Sequence, residues 1–374
     1  MPDETVNRIL PAESRLPQEA FTLPRVSTLA TPTLVTLDIA ETITEEQAAI
    51  LDLSDIGWDP YPDEAVPAFM TRYQNATGRS LMDTMTCLPD SLDMRLGGTS
   101  FMTVTHLGKM NPEINDVRCY APIGSANGHT QPLVDAVNSH YRRLSSGVDK
   151  LTIVPTLHEG RLSPVIFTFT LPGKERKMVL LEGCKQDGVN PGEIAVPEGA
   201  AQIVDSYELM RPDSPYGEAI MQTLRQQPDT LTVVGLGSTR VIPQATEHIL
   251  RFADAANNLA ISGNREEIVL LQETLGTDSV TGIFDRLGTR FILETNGQQG
   301  AQLHLAHTGG VLTFEYQLPD TEIYRGDNTN AGDVFLAATL NGLLSLNGSG
   351  IDAAADILPR ASRYTYDFLR TRGT

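Results

Sequence analysis

Short β-rich runs alternate with amphipathic helical stretches through the second half of the chain. This predicts an α/β protein: a mostly parallel sheet covered on both faces by helices. Runs at 200–204, 231–236, 259–262 and 290–295 have strand length and β-rich composition. Stretches 243–256, 265–275, 280–287, 334–346 and 351–370 repeat apolar residues at helical spacing. The 374 residues suffice for one large α/β domain or two ordinary ones. Ligands of such sheets sit at the carboxyl ends of the strands, where helix N-termini open.

The remaining elements follow in chain order. Residues 1–30 are polar and proline-bearing, so an N-terminal arm is expected ahead of a single domain over 31–374. Residues 33–39 read as the first strand, with Asp38 at its end. Residues 40–90 are acidic and rich in turn formers, with a helix at 64–73. Trp58 and Tyr61 lie in a proline-bounded loop, where an anchoring cluster is favoured over ligand stacking. Gly97 and Gly98 open a helical pattern through Phe101, Met102, Val104 and Gly108. Residues 117–124 form a strand ending in glycine, and 132–144 a helix. Runs 165–171 and 177–181 flank a turn as a hairpin, as do 302–307 and 311–316.

Composition excludes several classes. The net charge is −19, and no basic stripe offsets it, which argues against a nucleic-acid or anionic-lipid partner. No run of about 18 apolar residues exists, so a membrane span is not expected. The first residues lack a basic segment followed by an apolar one, and Cys87, Cys119 and Cys184 are scattered, which points to reduced thiols in a cytoplasm.

The most telling segment runs from Gly326 to Asp333 and leads into the apolar helix 334–346. A flexible turn there delivers a carboxylate to a helix start. Unpaired N–H groups and the positive end of the helix dipole make such a start a seat for phosphate. A carboxylate in the same turn can take a hydroxyl proton while the amides hold the phosphoryl group. Ordinary N-cap chemistry accounts for the same residues equally well. Asn264 and Glu267 offer a second pair, at the carboxyl end of a strand. They are spaced either as a helix capping box or to hold waters around Mg²⁺.

Other constellations fail. No Walker A loop, GxGxxG or Gly-x-Ser-x-Gly elbow is present, and Gly235-Leu236-Gly237 reads as a tight turn. His304 and His307, three apart in a strand, point to opposite faces. His158 and Glu159 lack a third metal ligand and read as a solvated turn.

Residues 327–333, read Asp-Asn-Thr-Asn-Ala-Gly-Asp, resemble the Asp-Thr-x-Gly-Ala-Gly-Asp hallmark of the ribokinase, or pfkB, carbohydrate kinase family. Asn264 and Glu267 match its Asn-x-x-Glu. Residues 295–301 resemble its nucleotide-side Thr and Gly-x-x-Gly-Ala, and Gly97-Gly98 its glycine pair before a substrate-side helix. The resemblance covers about residues 33–370. It implies a three-layer αβα sandwich with a mostly parallel central sheet and a small β-strand lid, drawn from about 40–95 and 160–182. It implies transfer of the ATP γ-phosphate to a hydroxymethyl group of a sugar or sugar-like alcohol. Asp333 would be the base, and the amides of Asn330, Ala331, Gly332 and Asp333 the anion hole. Thr295, Gly297, Gly300 and Asn264 would serve the nucleotide. Glu267 with Asn264 would organise Mg²⁺ through water. Asp38, Gly97, Gly98 and the position of Met102 would meet the acceptor.

Departures are confined mainly to the acceptor side. Met102 replaces the family's usual Asn, the turn 124–128 lacks the usual Asp, and Asn330 stands where the family has glycine. The apolar Met102 suits a flatter acceptor, so a nucleoside kinase of the same fold is the first alternative. A fold kept for ligand binding or scaffolding without turnover is the second. ADP in place of ATP as donor is a further variant, and a homodimer through the lid strands is common among relatives.

Overall fold

The computed structural model describes residues 7–9, 21–53, 66–86, 93–125, 131–172, 176–324, 328, 330–346 and 351–372. Trp58, Tyr61, Cys87, Gly326, Asp327 and Thr329 lie outside the described residues. The chain divides into two compact units, one of residues 1–33, 99–118 and 190–374, the other of 34–98 and 119–189.

The first unit is built on a large sheet. Its parallel centre comprises β2 (Thr28–Pro32), β9 (Ala200–Asp205), β10 (Leu231–Gly235), β11 (Leu259–Asn264) and β12 (Phe291–Thr295), in that spatial order. Beyond β12 the antiparallel strands β13 (Ala301–His307) and β14 (Gly310–Tyr316) follow. The outer edge of β14 is paired by β1 (Asn7–Ile9), so the expected arm supplies a strand. On the other side, the start of β5 (Asp116–Ser125) runs beside β2.

Burial on both faces explains the near-continuous apolar reading of these strands. Val204, Val234, Ile261 and Ile292 share a core with Ile249 and Phe252 of α7 (Ile242–Ala255), Ile268 and Leu271 of α8 (Arg265–Leu275), and Ile283 of α9 (Val280–Leu287). The alternate residues Ile203, Val233 and Ala260 are buried too. Helix α4 (Thr99–Met110) packs on β9, and α10 (Ala331–Ser345) packs on α4 and on α11 (Ile357–Arg372). Helix α6 (Pro215–Gln226), capped by Ser214 with Pro215 in its first turn, joins the α7 side.

The second unit has a four-stranded sheet: β4 (Asp93–Gly97), β3 (Thr36–Thr42), β7 (Val165–Thr170) and β8 (Arg176–Leu181). The expected 165–181 hairpin is β7–β8, antiparallel from Val165↔Leu181 to Thr170↔Arg176. Phe167 and Phe169 stack at 5.8 Å, with Phe69 and Tyr73 of α2 (Val66–Thr77) against them. The rest of β5 lies in this unit, with α5 (Gln131–Ser145) and β6 (Leu151–Glu159).

Three expectations are corrected. The strand expected at 33–39 is β3, which starts only at Thr36 and runs to Thr42, and a separate strand β2 (Thr28–Pro32) precedes it where the chain passes from the first unit to the second. Asp38 is therefore the third residue of β3, not a strand end. His158 and Glu159 end strand β6 rather than forming a turn, and His158 Nε2 lies 2.7 Å from the Gly188 carbonyl. Helices α1 (Glu45–Leu51) and α3 (Leu81–Thr86) add to the single helix expected over 40–90.

Phe252 is fully buried in the first unit's core. Phe252→Ala should lower stability by about 3–5 kcal/mol, read as a shift in the urea midpoint at unchanged slope.

Candidate functional site

Helix α10 starts at Ala331, and its cap is unusual. Asn330 has φ 64° and ψ 10°, the left-handed region, and its side chain makes no cap hydrogen bond. Asparagine tolerates that conformation better than most residues, so it can stand where glycine is the default. Its carbonyl accepts from the Val334 N–H at 3.0 Å, closing the first helical turn. The Ala331 N–H donates to the Asn328 carbonyl at 3.0 Å and is already engaged. Asp333 is half-buried in that first turn, and the apolar run from Val334 to Leu340 anchors the helix beneath it.

A cavity of about 220 Å³ opens beside this turn. Thr295, Gly297 and Gly300 line it from one side, and Asn328, Ala331 and Gly332 from the other. Two segments some thirty residues apart in sequence thus face one hollow. Thr295 ends β12, and a tight turn follows in which the Asn296 N–H donates to the Gly300 carbonyl at 2.8 Å. Gly300 has φ 105°, and a Cβ there would land on the Tyr316 carbonyl, so the turn cannot be built with a larger residue. Tyr316, Tyr324, Phe335 and Tyr366 wall the same cavity. Asp333 does not line it.

At the end of β11, Asn264 and Glu267 form a reciprocal cap. The Asn264 side chain accepts from the Glu267 N–H at 3.0 Å, and the Glu267 carboxylate accepts from the Asn264 N–H at 2.8 Å and from its amide nitrogen at 2.7 Å. Glu267 is buried, and burial raises its pKa. Among the described residues no three His, Cys, Asp or Glu side chains converge as a metal-holding group. With both Glu267 oxygens bonded to Asn264, the pair fits a cation held through water rather than by direct ligation.

Sequence reasoning missed Asp205 and Glu208. Asp205 ends β9 and is only 3% exposed, and its Oδ2 is buried without a hydrogen-bond partner. Burial pushes its carboxyl well above the usual range, and the charges of Glu208, Asp333 and Glu267 add to the effect. Asp205, at the carboxyl end of β9, therefore lies near enough to feel Glu208 and the acids of α8 and of the start of α10. The signal was present: Asp205 and Glu208 have the same three-residue spacing as Asn264 and Glu267, and the same capping box.

The expected acceptor residues are split. Met102 lies in α4 of the first unit, whereas Asp38, Gly97 and Gly98 belong to the second. Strand pairing sets Thr36 opposite Gly97, and a Cβ at Gly97 would land on the Asp38 carboxylate. The glycine makes room for that acid. Asp38 accepts from Thr36 Oγ1 at 2.6 Å. Burial pushes its pKa up to about 6, against the pull of Thr36 and Arg95.

No protein-family model matches the sequence, and no curated protein matches it either. Solved structures do. Adenosine kinase from Schistosoma mansoni in complex with tubercidin is similar at TM-score 0.65 and 16% identity, over 94% of this chain and 96% of that one. A probable sugar kinase from Rhizobium etli is similar at TM-score 0.62 and 14% identity, over 92% of each chain. The Methanocaldococcus jannaschii nucleoside kinase, an archaeal member of the ribokinase family, is similar at TM-score 0.55 and 14% identity, over 91% of each.

The fold is ribokinase-like. At these identities the likeness is one of backbone, and the chemistry of the site rests on this chain's own residues.

Because the folded pKa of Asp38 lies above the ordinary 3.8, the folded chain holds an extra proton between the two values. That stabilisation is fully present below about pH 4 and is lost as pH rises through about 6. Asp38→Asn should flatten the thermal midpoint over this window. Parallel wild-type and variant curves from pH 4 to 6.5 would show the assignment to be wrong.

Proposed function

We propose that this chain is an ATP-dependent phosphotransferase acting on a hydroxymethyl group of a sugar or sugar-like alcohol. The observation that supports it best is the hollow shared by Thr295, Gly297 and Gly300 with Asn328, Ala331 and Gly332, with Asp333 on the same helix turn. The glycines allow close approach of phosphates to backbone N–H groups, and the helix start adds its dipole. Since the Ala331 N–H is engaged, the first amide of the helix left to meet an anion is that of Gly332. The aromatic walls of Tyr316, Tyr324, Phe335 and Tyr366 suit a flat base.

In this reading the acceptor oxygen attacks the γ-phosphorus and the bond to the β-phosphate oxygen breaks, releasing ADP. The acceptor proton passes to the Asp333 carboxylate. Asn264 and Glu267 would hold a Mg²⁺ through water, and the ion would offset phosphate charge amid the acidic residues. Asp38, beside Gly97, is the second unit's candidate for an acceptor hydroxyl.

A nucleoside acceptor is the second reading. The apolar Met102 in α4 favours it, and adenosine kinases are among the similar structures, one with tubercidin bound. A phosphotransfer screen over pentoses, hexoses, ketose phosphates and nucleosides, with ATP–Mg²⁺ and with ADP, separates the two. On the accepted substrate, Asp333→Asn should lower kcat by about 10²- to 10⁴-fold, with KM for ATP little changed. Full turnover by that variant would remove Asp333 from the base role.

A further inference from the structure

We propose that Glu208 is a positioning residue for phosphotransfer. It fastens the start of α4, and through α4 the helix turn that carries Asp333. This rests on the phosphotransferase reading above.

Glu208 is 6% exposed, and its carboxylate gathers three donors from three distant parts of the first unit. Oε1 accepts from Thr33 Oγ1 at 3.0 Å. Oε2 accepts from Ser100 Oγ at 3.1 Å and from the Asp205 N–H at 2.9 Å. Thr33 is the last residue of the first unit before the chain leaves it, and Thr99 the first after its return. One carboxylate thus ties the exit point, the re-entry point and the end of β9. All three partners are buried.

The tie continues along α4. One turn beyond Ser100, the buried Thr103 hydroxyl is shared between the Thr99 carbonyl at 3.1 Å and the Asp333 carbonyl at 3.4 Å. The first turn of α4 is therefore pinned to Glu208 on one side and to the Asp333 backbone on the other. Removing the carboxylate leaves three buried donors unpaired. The freed turn of α4 would no longer hold Asp333 to one position. Glu208 touches no reacting atom in this scheme, so its effect must pass through Asp333.

Glu208→Gln, which keeps the size but replaces one acceptor by a donor, is the main variant. Hydrogen exchange of its backbone should quicken at 99–103 and at 331–335. The kcat per folded molecule should fall by about tenfold to 10²-fold, as displacement of a reacting group by 1 Å does, while KM for ATP stays within about twofold. Thr103→Val should couple to it, the double variant being no slower than the slower single one. Ser100→Ala, a milder cut of the same tie, serves if Glu208→Gln folds poorly. Unchanged exchange at 331–335, or additive losses in log kcat, would overturn the proposal. If the wild type phosphorylates no alcohol, the phosphotransferase reading fails by itself. The exchange measurement then still decides whether Glu208 holds the Asp333 turn.

Discussion

Parallel pairing is the constraint from which the site descends. Strands that run the same way end on the same edge, and register decides which residues meet there. Asp205 pairs with Gly235, Gly235 with Ser262, and Asn264 with Thr295. The last residues of β9 and β10 pair with each other, those of β11 and β12 pair two residues further along, and each strand gives way to a turn or a helix start. A hydrophobic centre buried on both faces makes slippage by one residue prohibitive, because it would exchange the two buried sets of side chains. The polar row at the edge is held in place by the apolar rows behind it.

Acids gather near this edge, in a chain already at −19. Asp205 shows the outcome, its carboxyl pushed towards the neutral form by burial and by its neighbours. Glu208, beside it, collects three donors. Glu267 is bonded by its own cap residue, and burial raises its pKa as well. Which donors meet each acid is decided by the tertiary structure.

What could be read beforehand was local. Long periodic helices such as α7, α8 and α10, and the apolar strands between them, announce themselves by spacing. The turn before Asp333 is a run of residues whose chemistry is complete within one helix start. Other features needed contacts from far along the chain. The cavity walls Tyr316 and Tyr366 come from β14 and α11, and nothing at either position marks it as facing Gly297. The role of Glu208 depends on Thr33, 175 positions away. Strand β6 escaped because it alternates half-buried and exposed residues around Pro155. Strand β4 escaped because it is short and carries Asp93 and Arg95. The α6 start is marked in the sequence by Ser214 and Pro215, a cap residue followed by proline in the first turn.

The pairing of β1 with β14 bears on solubility. Without it, the outer edge of β14 from Thr313 to Glu315 would present unsatisfied N–H and C=O groups to any passing strand. Residues 7–9 close that edge with the chain's own backbone. The opening stretch of the sequence thus acts as a guard against sheet-to-sheet association between copies.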